Sequence, residues 1–280
     1  MYAKRIALSL SLWALLATMA PAMADDHPML DYASVSAGIF TNDLSASLRF
    51  DGRVRNSGTP LDFSRDLGQG GTQSLPFIEG TWRPWERHEF ELTYFHDSND
   101  ASHTINRTVV FNNQTLNAGA TLNSKFSLDA GGVTYRYWAW IGDRAAFGLT
   151  AGLQAYSFEL KLKATASVQG ANGGGSVTRS INSKASTDLP DPSIGLAYRY
   201  QMADWARLVA DGGAFKANIG NIDATLYNAR VGVEFYPWQQ IGVVTQYSYN
   251  KIDADVTKNR FSGNATFRFS GLQLLFKWRF

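Results

Sequence analysis

The sequence has no cysteine, which excludes a disulfide framework, thiol catalysis, thiolate metal sites and a lipid-modified cysteine. Its four histidines, His27, His88, His96 and His103, are dispersed without the spacing of metal ligands. Lys and Arg number 26 against 24 Asp and Glu, so the basic surplus and clustering of a nucleic-acid-binding chain are absent. Beyond the N-terminus no stretch approaches the ~20 consecutive apolar residues of a membrane-spanning helix. Gly173-Gly174-Gly175 lacks the following helix and the Lys-Ser/Thr pair of a phosphate cradle. Asp97-Ser98-Asn99-Asp100 lacks the glycine and distal glutamate of a calcium loop. No cofactor and no metal are expected.

What is present begins with an export signal. Lys4 and Arg5 supply a positive start, Ile6 to Ala20 an apolar core, and Ala22-Met23-Ala24 a small-x-small cleavage site. Residues 1–24 are therefore expected to be a cleaved signal peptide of the Sec pathway, with the mature domain at 25–280.

The rest of the chain alternates. In Gly271 to Phe280, Leu272, Leu274, Phe276, Trp278 and Phe280 fall on one face; Gln273, Lys277 and Arg279 fall on the other. Period two is the signature of a strand, and an apolar face opposite a polar one suits a membrane barrel with a polar lumen. Mean hydropathy of −0.20 is compatible with this, because barrel strands spread their apolar residues over every second position. Similar alternation predicts strands over 32–40, 73–83, 88–97, 126–137, 145–162, 193–201, 206–217, 226–236 and 241–250. Residues 53–71, 98–123 and 163–187 read as long polar connections. Short turns fall near 84–87, 140–144, 202–205 and 237–240. Short turns on one side and long loops on the other give an all-β, transmembrane, antiparallel up-and-down barrel of about ten strands. Eight or twelve remain as alternatives, because Leu44–Phe63 and Thr108–Phe126 can each be counted two ways.

Tryptophan placement agrees with a membrane barrel. Trp82, Trp85, Trp138, Trp140, Trp205, Trp238 and Trp278 all lie at short turns or at the end of the chain, as expected of an aromatic girdle at the periplasmic interface. By its strand and turn rhythm, its aromatic belt and its final Phe280, the stretch from about Tyr32 to Phe280 resembles the small outer-membrane β-barrel proteins of Gram-negative bacteria, the OmpA-like and porin-like group. The resemblance implies an outer-membrane location and contact with outer-membrane lipid and lipopolysaccharide. It also implies Phe280 as an assembly signal, read by the barrel assembly machinery after escort by periplasmic chaperones. Ending on a strand, the chain leaves no room for the peptidoglycan-binding domain of two-domain members. No nucleic-acid partner is expected.

Strand parity sends Glu79, Glu89, Glu91, Arg136, Arg199, Asp211, Arg230, Glu234, Lys277 and Arg279 into the lumen. Charges of both signs in a narrow barrel pair with one another, since an unpaired buried charge is costly. The leading expectation is a non-enzymatic barrel, serving envelope structure or narrow, porin-like permeation. Two alternatives stand beside it. His96-Asp97-Ser98-Asn99 resembles the His-x-Ser-Asn motif of barrel lipid A deacylases, with His96 and Ser98 on one strand face as base and nucleophile. The outer loops could instead serve an adhesin or receptor.

Overall fold

The computed structural model describes residues 27–50, 59, 61–69, 71–111, 114–116, 118–168, 177–219, 222–258 and 261–280. The proposed signal peptide lies outside them. In chain order come β1 (Ala33–Phe50), β2 (Leu61–Asp62), the helical turn α1 (Phe63–Leu67), β3 (Thr72–Trp85), β4 (His88–Thr104), β5 (Val109–Phe111), β6 (Gln114–Leu116), β7 (Thr121–Ile141), β8 (Ala145–Val168), β9 (Val177–Ala203), β10 (Ala206–Ile219), β11 (Ile222–Phe235), β12 (Ile241–Lys258) and β13 (Phe261–Arg279).

Ten of these strands form one closed antiparallel barrel, each long strand paired with the next and β13 returning to β1. The closing register runs from Ser34 opposite Arg279 to Phe50 opposite Gly263. Closure leaves no open edge, as a membrane demands of any sheet that crosses it. β5 and β6 form a separate small hairpin.

The strands are longer than a bilayer needs, and their polarity inverts part-way up. On the lower part of β8, Phe147, Leu149 and Leu153 are exposed, while Gly148, Thr150 and Gln154 point inward. Higher on the same strand Tyr156, Phe158, Leu160 and Leu162 are buried inside the barrel, and Lys161 and Lys163 stand outside. β7, β12 and β13 make the same exchange, and on β4 the outer face alone makes it, its inner face keeping a buried Asp97. On β13, Phe267 and Phe269 point in and Arg268 out, whereas below them Gln273 and Lys277 point in and Leu274, Phe276 and Trp278 out. Parity is unchanged; only the chemistry of the two faces swaps. The lower storey suits lipid outside and polar groups inside, and the upper storey suits water outside and an apolar core inside.

The inversion explains where the sequence reading fell short. Residues 98–123 and 163–187, expected as long loops, contribute the upper parts of β4, β7, β8 and β9. Within 98–123 the outward side chains Ser98, Asp100 and Ser102 are polar and the inward Ala101 is small, and 163–187 is rich in Ser, Thr and Ala, so both stretches resemble loops in composition. The expected loop at 53–71 contains β2 and α1. Asp62 caps α1, its carboxylate accepting from the Arg65 N–H at 2.8 Å. Gly68 ends the turn in the left-handed conformation, φ 67°, where a side chain would be strained.

Candidate functional site

The lumen contains three layers, starting at the end where the short turns lie. There Asp31, in the segment before β1, sits over the mouth. It meets Lys277 at 2.8 Å and Arg207 at 3.0 Å, and Glu234 joins both cations at 2.8 and 3.0 Å. Tyr236 donates its hydroxyl to Glu234 at 2.7 Å, and the Arg279 guanidinium lies 3.8 Å from the centre of the Tyr236 ring. Burial opposes the charge on Asp31, yet Arg207 and Lys277 hold its carboxyl well below the ordinary carboxylate range.

Above this lies a second cluster. Arg136 reaches Glu89, Glu91 (3.1 Å) and Asp211 (3.2 Å). Arg230 reaches Glu79 (2.6 Å), Glu91 (2.8 Å) and Asp211 (3.0 Å), and Arg199 joins Asp211 at 3.2 Å. All ten lumen charges named from parity thus enter two connected networks. Asp31 and Arg207 complete them and were not named. Arg207 shares the parity of Asp211 and was legible; Asp31 precedes the first strand, where parity gives no guide.

Six of the seven girdle tryptophans lie on the outside of the barrel. Trp138 does not. It is fully buried in the lumen, donates its indole N–H to Glu89 at 3.0 Å, and lies under the guanidinium groups of Arg136 and Arg199. A register shift between Trp138 and Trp140 turns the strand at this point. Position near a turn suggested the girdle, whereas parity with Arg136 places Trp138 inside. Phe280 follows β13, exposed and stacked on Trp278 at 5.2 Å, its N–H bonded to the Ala33 carbonyl at 2.8 Å.

The middle layer is a chamber of about 120 Å³ between the second charge cluster and an aromatic group of Phe40, Phe77 and Phe95. The top layer is apolar. Phe63 and Leu67 of α1 pack into the upper mouth with Phe126, Phe158, Phe267 and Phe269, the Phe158 and Phe267 rings stacked at 4.3 Å. Polar contacts at the rim hold α1 there. Asp66 receives Arg107 at 2.7 Å and Arg65 at 3.1 Å, and Gln69 donates to the Asn99 carbonyl and to Ser124.

The remaining candidate lies outside the barrel. His96 and Ser98 share the outer face of β4, as strand parity requires. His96 Nδ1 lies 2.9 Å from Asp129 Oδ1 on the neighbouring β7, and the Tyr94 hydroxyl donates to the same oxygen at 3.0 Å. Asp97 points inward and is buried. Two residues along a strand stand about 6.5–7 Å apart, and no hydrogen bond joins His96 to Ser98 among the described residues. Nor do those residues include a group of three or more His, Cys, Asp or Glu placed to hold a metal ion.

No family model matches the chain, and no curated protein matches it. Among solved structures it is similar to the outer membrane protease OmpT from Escherichia coli, at 12% identity over 94% of this chain and 99% of that one, with a TM-score of 0.56. The chain has the fold of an outer-membrane β-barrel. Weaker likenesses are to the translocator domain of the autotransporter NalP from Neisseria meningitidis (11% identity, 100% of this chain and 96% of that one, TM-score 0.37) and to the toluene transporter TodX of P. putida (9% identity, 90% and 91%, TM-score 0.35). At such identities the likeness to the protease extends to the fold alone.

Proposed function

We propose that this outer-membrane barrel is a sealed, non-enzymatic component of the envelope, related by architecture to the OmpA-like and porin-like group but closed to diffusion. The observation that carries the reading is closure at both ends of one lumen. Paired charges around Asp31 and Arg207 fill the periplasmic mouth, and α1 fills the outer one with Phe63 and Leu67. A network of charges paired with one another is a packed core rather than a water-filled lining. The test is conductance of the refolded protein in a planar bilayer, after a heat-modifiable gel shift has confirmed folding. A silent bilayer is expected; reproducible ohmic steps from the unaltered protein would overturn the reading.

A second reading is favoured by one observation, the His96–Asp129 pair. A carboxylate on Nδ1 fixes the tautomer that leaves Nε2 free as a base, and Ser98 on the same face supplies a hydroxyl. The pair stands where the outer face of β4 changes from apolar to polar, at the outer-leaflet boundary. There it would serve a hydrolase acting on lipid A. Overexpression of the chain followed by mass analysis of lipid A tests this; unchanged lipid A, or the same change with Ser98→Ala, removes it.

A further inference from the structure

The chamber in the middle of the lumen contains a group that the salt-bridge networks leave over. Asp191, on β9, lines it and is 6% exposed. Among the described residues its side chain has no hydrogen bond and no ion pair, and its Oδ1 is shielded from solvent. A buried, unpartnered carboxylate is costly, by far more than an ordinary unmade hydrogen bond. Below it the balance of charge has the same sign. Glu79, Glu89, Glu91 and Asp211 face Arg136, Arg199 and Arg230, one carboxylate in excess, and Asp191 raises the excess to two. The guanidinium groups are spent on these carboxylates, so an anion would find repulsion. The opposite wall is aromatic, with Phe40, Phe77 and Phe95 lining the space, and Tyr156 lies on the strand beside Asp191. Ring faces attract cations, and organic ammonium ions most usefully, because their alkyl groups also gain from apolar contact. A divalent metal would want several oxygen or nitrogen ligands, and no cluster of three ligating acidic or histidine side chains occurs among the described residues.

From the orphaned Asp191 carboxylate facing an aromatic wall across a chamber of about 120 Å³, we infer a binding site for a small organic ammonium ion. The size restricts the ligand to a compact ion, the chamber being somewhat smaller than the cavity of about 150 Å³ that accommodates benzene. The ion's charge would offset Asp191, and its methyl or methylene groups would lie on Phe77 and Phe95. The site goes beyond the sealed-barrel reading: it is a chamber that holds a ligand rather than a route that passes one.

Tetramethylammonium is the probe, with tert-butanol as a neutral molecule of similar shape and sodium as an inorganic cation. The full chain is refolded in detergent with each at equal millimolar concentration, and binding is measured by equilibrium dialysis together with the urea midpoint. Tetramethylammonium is expected to bind saturably and raise the midpoint, with neither control doing so. Asp191→Asn should weaken binding at least tenfold while leaving the unliganded protein as stable as before or more so, because it removes an unpartnered charge. Phe77→Leu, which keeps the charge and thins the aromatic wall, should weaken binding severalfold, and it decides the matter if Asp191→Asn does not fold. No saturable binding, equal effects of tert-butanol or sodium, or undiminished binding in the folded variants would overturn the inference.

Discussion

If the barrel has two storeys of opposite polarity, one substitution made twice on the same face of the same strand should have two different costs. Leu92 and Ser102 both lie on the outer face of β4, and both are exposed. The apolar part of that face runs from His88 to His96, eight steps of about 3.3 Å on a strand inclined by about 40°, a rise of about 20 Å. On β8 the corresponding part, Ala145 to Ala155, rises about 25 Å, the height of a typical apolar band. Leu92 stands in the middle of its band and Ser102 well above it. Leu92→Arg should therefore cost about 2–4 kcal/mol, as arginine does near the midplane of a membrane barrel. Ser102→Arg should stay within about 0.5 kcal/mol, the range of ordinary surface changes. Urea titrations of the two variants, refolded into lipid vesicles and followed by gel mobility and tryptophan fluorescence, give both numbers. Equal costs, or the larger cost at Ser102, would refute the placement of the membrane.

Three further outcomes follow from the lumen. Phe267→Ala, inside the upper storey and stacked on Phe158, should destabilise by about 3–5 kcal/mol, and Phe276→Ala on the lipid face of the same strand by less than half of that; urea midpoints compare them. Arg136→Met strands Glu89 without its ion pair, while Glu91 keeps Arg230, and should cost about 3–5 kcal/mol, with part recovered when Glu89→Gln is added; no loss would mean that the network is more hydrated than its geometry. At the outer mouth, burial disfavours the Asp66 charge, but hydrogen bonds from Arg107 and Arg65 hold its carboxyl below the ordinary value. A lowered folded pKa contributes stability above the unfolded value of about 4 and loses it as pH falls towards the lowered one. Amide protection of α1 should thus be flat between pH 7 and 5 and weaken only in strong acid. Asp66→Asn should speed exchange at pH 7 by roughly ten- to a hundredfold, the effect of losing about 1.5–3 kcal/mol of charge-assisted bonding; unchanged exchange would detach α1 from this anchor.

Period-two alternation was enough to read the barrel, about ten strands with eight or twelve left open, and the inward direction of its charges, because parity is a local property of a strand. It read the lower storey best, since Phe147, Leu149 and Leu153 against Gly148, Thr150 and Gln154 contrast strongly in size and polarity. The upper storey was legible in part. Phe158, Leu160 and Leu162 alternate with Glu159, Lys161 and Lys163 as clearly, but beside them the runs rich in Ser, Thr, Ala and Gly have no contrast to read. What closes the lumen was hidden for another reason. Asp31 and α1 reach their places by tertiary packing, and nothing in the local pattern of a polar connection says that Phe63 and Leu67 will turn into the barrel mouth. Trp138 shows two local signals in conflict, proximity to a turn and parity, and the packing against Arg136 and Arg199 follows parity.

The polarity switch also bears on the one candidate for chemistry outside the lumen. On β4 the outer face reads Phe90, Leu92, Tyr94 and then His96, Ser98, Asp100; on β7, running the other way, it passes from Asp129 through Gly131 to Val133 and Tyr135. The register sets His96 directly opposite Asp129, so both strands change character at one level, and the imidazole–carboxylate pair lies at that level. A His–Asp pair there has a structural reason to exist, since Tyr94, His96 and Asp129 together bridge two strands where lipid gives way to water. Under the hydrolase reading it would lie at the depth where an acyl ester of a lipid meets water. The two accounts differ on Ser98. A bridging pair needs only His96, Asp129 and Tyr94, and Ser98→Ala would then change neither stability nor lipid composition. A hydrolase needs the hydroxyl, and the same variant would abolish product while the urea midpoint stayed in place.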